Sequence, residues 1–242
     1  MKAGPILDRG LSVEVLDAAL HIARSGIPFN QGLRRLEVAL RESISEQEAT
    51  TKTRKILTRI WVRPPAYAKA MVDWVVTQEV EGCDSRVFHL GAMLASYPFF
   101  GEVCAFVGRH LNLAGEVNTS AVRKQMHSTW GDRSSVDVGA RRCIRTLRHL
   151  GVLLGESGSS RNVAGDVVKV PGELRNWMVH SLMLTRLTDS IDERDVDRAP
   201  ELFMLQMAGQ REEYQYLERV NEAGGRRVLV IHSENIVAKA LP

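Results

Sequence analysis

Apolar residues recur at helical spacing through the first half of the chain. Leu16, Ala19, Leu20 and Ala23 put one stripe on Leu11–Arg24, which Gly26 and Pro28 close. Asn30 is placed to cap the next helix, through about Ser43, where Leu33, Leu36, Leu40 and Ile44 share a side. A third helix is predicted from Glu46 to Val62, ended by Pro64–Pro65, and Pro65 can open a fourth over Ala66–Val80. Arg86–Ser96 and Phe99–Leu111 read as two more, parted by Pro98 and aliphatic enough to be mostly buried.

The pattern changes after Asn112–Asn118, which contains Gly115 and is the expected boundary. Ser120–Trp130 and Ser134–Leu150 form a helix pair joined by the turn Gly131–Asp132–Arg133. Gly151 ends the second helix, Val152–Leu154 reads as a short strand, Gly155–Gly165 as a flexible wing and Val167–Val170 as its returning strand. Glu173–Leu187 is another helix. Ser190 to Glu193 fits a capping box for an acidic helix, and Met204–Glu222 reads as helical. Gly224–Gly225 then leads into a strand at Arg226–His232. The expected fold is mainly α. A helical N-terminal domain (residues 1–115) precedes a winged-helix, or helix-turn-helix, domain with a small β-hairpin (residues 116–188), followed by an acidic helical tail with a terminal strand (residues 189–242).

The segment Ser134–Leu150 sorts its residues by side. At about 100° per residue, Val136, Ala140, Cys143, Ile144, Leu147 and Leu150 form an apolar face, while Arg141, Arg142, Arg145, Arg148 and His149 crowd the opposite one. Only Asp137 opposes them within the segment. Guanidinium groups bind phosphates and guanine edges in pairs of hydrogen bonds, so this face is the expected DNA contact. Ser134, Ser135 and Val138, near the helix start, would lie deepest in the groove. Gly139 is compatible with close backbone approach. Lys124, Arg123, Arg161 and Lys169 would add phosphate contacts. A fainter basic stripe, Lys52, Lys55 and Arg59, offers a second such helix; a solvated face explains it equally well.

Bulk composition narrows the alternatives. With 44% hydrophobic and 25% charged residues, the chain belongs with folded globular proteins. The net charge of +3 is too small to identify a polyanionic partner, but its distribution is uneven. Ala49–Val72 and Thr119–His149 are basic, whereas Asp189–Glu222 is acidic. Cys83, Cys104 and Cys143 lack a CxxC spacing, which fits reduced thiols and a cytoplasmic location. Ala92–Val107 is too short and too interrupted to span a bilayer. No metalloprotease, nucleophile-elbow, Walker or dinucleotide glycine motif occurs, so no enzymatic activity, metal or cofactor is expected. Asp192, Glu193, Asp195 and Asp197 could gather a metal; an acidic first turn on a helix dipole is the better explanation.

The layout resembles the BrxA family of bacterial BREX phage-defence islands. The resemblance runs over roughly Leu11–Leu187, through TTKTRKILTRIW, PAYAKAMVDWVV, STWGDRSS…RTLRHLGVLL and VPGELRNWMVHSL. It implies a non-enzymatic component that binds double-stranded DNA within a multi-protein defence system. Expected partners are therefore duplex DNA, other proteins of such a system and a second copy in a homodimer, with no membrane. Two further readings of the same residues are a winged-helix transcriptional regulator selective for one operator, and a protein–protein adaptor without DNA binding.

Overall fold

The first half builds a helical body around Pro and Gly breaks. The structure, a computed structural model, describes residues 4–156, 158–209 and 214–232. Helices α1 (Val13–Arg24), α2 (Phe29–Ser43), α3 (Gln47–Leu57), α4 (Ala66–Val76), α5 (Ser85–Ser96) and α6 (Pro98–Ala114) follow the predicted order. Asn30 is not a cap, because Pro28 holds an extended conformation and α2 starts directly after it. The third predicted helix continues past α3 as a π turn, Thr58–Val62, that buries both Ile60 and Trp61. α4 stops at Val76, short of Val80. There the side chains of Thr77 and Gln78 donate to the Trp74 carbonyl at 2.7 and 3.2 Å, satisfying an end that longer helix would otherwise cover.

Gly115, in the left-handed region at φ 72°, turns the chain out of α6. The expected boundary that follows is not a linker. Glu116–Asn118 is strand β1, and Asn118 caps α7 (Thr119–Trp130) by accepting from the Ser120 amide. α8 (Ser134–His149) is followed by β2 (Leu153–Leu154) and β3 (Arg161–Ala164). These form an antiparallel sheet in the order β1-β3-β2, with Asn118 opposite Arg161 and Leu154 opposite Val163. The returning strand of the hairpin therefore lies within the stretch expected to be the wing. Val168–Val170 (β4) leaves the hairpin and pairs in parallel with β6 (Leu205–Met207).

α9 (Gly172–Arg186) runs through the centre of the molecule, where Trp177 is fully buried and donates to the Met71 carbonyl at 3.0 Å. β5 (Ser190–Asp192), the short α10 (Glu193–Val196), β6, β7 (Leu217–Glu222) and β8 (Arg226–Ile231) follow. The tail is thus largely strand, in the order β5-β8-β7, rather than the acidic helix expected. Its cap is Asp192, which accepts from the Arg194 amide, and Ser190 sits in a strand. Residues 210–213 of the expected Met204–Glu222 helix and residues 233–242 of the tail lie outside the described residues. β8 joins the tail sheet and not the β1-β3-β2 sheet. Within the described residues one hydrophobic cluster runs from Leu7 to Ile231, so the three predicted segments share a core.

No single helix among the described residues is long and apolar enough to cross a membrane. α5 and α6 together have the composition, but they bend by 114° at the break before Pro98 and pack inside the protein.

Candidate nucleic-acid interface

α8 meets the core through the face its sequence predicts. Val136, Ala140, Cys143, Ile144, Leu147 and Leu150 are all buried. Three contacts fix its angle. The Leu11 amide donates to Thr146 Oγ1 at 3.1 Å, Arg86 reaches the Leu150 carbonyl at 2.9 Å, and the Cys143 thiol lies against the Leu7 carbonyl. The N-terminal segment therefore runs along one flank of the helix. A Cβ on Gly139 would come 2.2 Å from Ile6 Cγ2 and 3.1 Å from Phe99. The close approach at this glycine is to the protein's own chain, not to an outside ligand.

On the opposite side Ser134, Ser135, Arg141 and Arg145 are exposed, and Val138 and Arg142 are half-buried. Arg145 has no hydrogen bond or ion pair among the described residues; its aliphatic stem rests on Gly10. Arg141 pairs with Asp137 at 3.0 Å, one turn back. Burial alone would raise the Asp137 carboxyl, but hydrogen bonds from Arg123 and His127 and the Arg141 charge hold it below the usual carboxylate range. Arg142 is shifted the other way. Burial first, then repulsion from Arg145, Arg9 and Arg141, lowers it below the ordinary guanidinium value, as expected where positive charge is concentrated. Arg9 extends this cluster. Nothing in the sequence pattern points to it, because the chain before α1 has no periodicity.

Beside this face is a groove of about 420 Å³. Its walls are the first turn of α7, the arginine side of α8 and the hairpin loop at Gly158–Ser160, with Ile144 in its floor. Arg148 has a different role from its neighbours. Its Nε donates to Asn162 Oδ1 at 2.8 Å and an Nη to the Ser159 carbonyl at 3.0 Å. Asn162, fully buried, donates in turn to Val117, Thr119 and Ser160. One guanidinium and one amide thus bind α8, β1, α7 and the loop together. The sequence placed Arg148 among the ligand contacts; the structure uses most of its donors internally. The Arg148→Ala variant is expected to lose about 2 kcal/mol, the scale of hydrogen bonds to a charged group. Hydrogen exchange of the Gly158–Arg161 amides should rise while that of mid-α8 stays protected. Unchanged exchange in the loop would refute the anchoring role.

The other predicted contacts are dispersed. Lys124 is exposed on α7, and Arg161 pairs across the sheet with Glu116. Lys52 pairs with Glu48 along α3, and Lys55 is exposed beside it. Arg59 turns inward: its Nε donates to the Ser96 carbonyl at 3.2 Å and its guanidinium sits 5.5 Å from the Tyr97 ring. It lines a different cavity, which shares no residue with the α8 groove.

Carboxylates of the acidic tail engage arginines of the tail and of α9. Asp192 binds Arg194 and Arg226, Glu193 binds Arg219 and Arg227, Asp197 binds Arg175, and Glu201 binds Arg186. Among the described residues none of these four carboxylates pairs with an arginine of α8. Comparison with protein-family models, curated proteins and solved structures finds no match, so the functional reading rests on this geometry.

Proposed function

We infer that this protein binds double-stranded DNA non-enzymatically, with α8 in the major groove and the β2–β3 hairpin on the flanking backbone. The observation that carries the reading is the guanidinium face of α8, bare of tail carboxylates and beside a hairpin anchored by Arg148 and Asn162. The element order supports it. α6, β1, α7, α8, β2 and β3, with the sheet ordered β1-β3-β2, follow the winged-helix arrangement, in which the third helix is the reader. Ser134, Ser135 and Val138 then face base edges, Arg141 and Arg145 reach phosphates or guanine, and Lys124 and Arg161 stand at the backbone. The BrxA resemblance extends the proposal to a component of a phage-defence system.

The test is a titration of a fluorescent duplex of about two helical turns, read by anisotropy at several salt concentrations. Neutralising about four phosphates predicts roughly a hundredfold weakening between about 50 and about 200 mM salt. Similar affinity for unrelated sequences is expected of the defence component, and strong preference for one operator would favour a transcriptional regulator. No duplex binding at low salt would defeat the reading.

A further inference from the structure

Arg59 belongs to the basic stripe of the sequence but is not used by the duplex face. It opens instead onto a separate cavity of about 620 Å³, within the range of about 300–1,000 Å³ typical of small-molecule sites. Seven parts of the chain line it: Gly4–Pro5, the π turn, the start of α4, α6, the second half of α7, the end of α9 and the turn at Glu201. The apolar part of the wall comes from Pro98, Ala105, Met126 and Trp130.

Its polar groups are unevenly balanced. Arg186 is held by both oxygens of Glu201, at 2.9 and 2.7 Å, so that pair is internally neutral. Glu102 accepts from the Trp130 indole at 3.0 Å. Arg59 and Arg109 line the same space, and neither has a carboxylate partner among the described residues. They come from different elements, the π turn and α6, so a ligand between them would be held from two directions. The Tyr67 hydroxyl lies beside Arg59; burial raises this phenol above its ordinary value, so it stays a neutral hydrogen-bonding group at neutral pH. Leu187, exposed and in the left-handed region at φ 57°, also lines it. That conformation is the C-terminal cap of α9, closed by the Leu187 and Thr188 amides donating to the Leu184 and Met183 carbonyls at 3.2 and 3.0 Å.

We propose that this cavity binds a nucleoside monophosphate-sized organic phosphate, its phosphate between Arg59 and Arg109 and its organic part against the accessible apolar lining at Pro98 and Leu187. A phosphomonoester suits two guanidiniums arriving from separate elements better than a carboxylate does, because it has three terminal oxygens to share between them. The site is independent of the duplex face, with which it shares no lining residue.

The experiment titrates the full chain with 5′-AMP, with inorganic phosphate and with adenosine, by calorimetry. Saturable binding of AMP is expected, with inorganic phosphate and adenosine each at least tenfold weaker. Arg109 is exposed and makes no hydrogen bond or ion pair among the described residues, so Arg109→Ala should fold normally. It should weaken AMP at least tenfold and leave duplex affinity unchanged, whereas Arg141→Glu with Arg145→Glu should leave AMP binding unchanged. Absence of AMP binding overturns the proposal. So does AMP binding that survives Arg109→Ala or is lost with the α8 pair, since the anion would then sit on the duplex face. The AMP-binding outcomes do not depend on whether duplex DNA binds.

Discussion

The Arg141→Glu, Arg145→Glu double variant is expected to lose duplex affinity by more than a hundredfold and to unfold at nearly the wild-type temperature. Both side chains are exposed, and Arg145 has no partner among the described residues, so its fold contribution is small. Arg141 gives up a pair with the half-buried Asp137 one turn away, an interaction its own exposure holds to about 1 kcal/mol or less. Arg123 and His127 still hold Asp137 afterwards. Binding responds far more strongly, because each change removes a cation and places an anion against the phosphates. The salt slope should flatten by about two, at roughly 0.9 per lost phosphate contact. Anisotropy titrations across salt, paired with circular-dichroism melts, measure both. Wild-type affinity in a folded double variant would exclude this face of α8.

Arg148 is left out of that variant for a physical reason. Reversing it would put a carboxylate against the Ser159 carbonyl and Asn162 Oδ1, all of them acceptors, and so disturb the loop as well as the charge. Lost binding could not then be assigned to the face alone. Arg141 and Arg145 test the electrostatics and Arg148→Ala tests the scaffold. Their separation follows from position along the helix: Arg148, in its last turn, bonds the hairpin, whereas Arg141 and Arg145 make no hydrogen bond to it among the described residues.

The difference between Arg148 and Arg145 also marks how far the sequence could be read. Helices α5, α6 and α9 are buried nearly all round and were legible from apolar content between Pro and Gly breaks. The stripes of α1 to α4, α7 and α8 were legible because those helices bury one side, which a period of about 3.6 residues records. The two faces of α8 were legible for the same reason. Which exposed arginine is free was not, since it depends on Asn162, a residue distant in sequence with no pattern of its own. β1 and β3 are short, at three and four residues, and carry no alternation long enough to register. Val168–Val170 did look like a strand and is one, but its partner is Leu205–Met207, a pairing set by tertiary packing. The tail misled most. Its charged residues resemble a solvated helix, yet Arg219, Arg226 and Arg227 lie along β7 and β8 to meet Asp192 and Glu193. Gly139 was read as clearance for a ligand and is clearance for Ile6.

Trp177→Ala should be the most destabilising single change, at about 4 kcal/mol, within the range for emptying a large buried aromatic site. Trp177 is fully buried on α9 and joins it to α4 through the Met71 carbonyl and to α5 through Gly91. A Cβ on Gly91 would lie 2.3 Å from both Cζ3 and Cη2 of the indole. The hydrogen bond fixes the other side of that ring, so Gly91→Ala is expected to cost about 2 kcal/mol by overpacking, even after its gain in helix propensity. The two substitutions should not add. With the indole gone, the new methyl enters vacated space, and the double variant should be more stable than the sum of the single losses predicts by at least about 1 kcal/mol. Urea unfolding of the four proteins, with slopes compared to check that unfolding stays two-state, measures this coupling. Strict additivity would mean that α5 and α9 do not meet through this contact. Because Gly91 and Trp177 lie outside both the α8 groove and its hairpin, the folded fraction of each variant should keep wild-type duplex affinity.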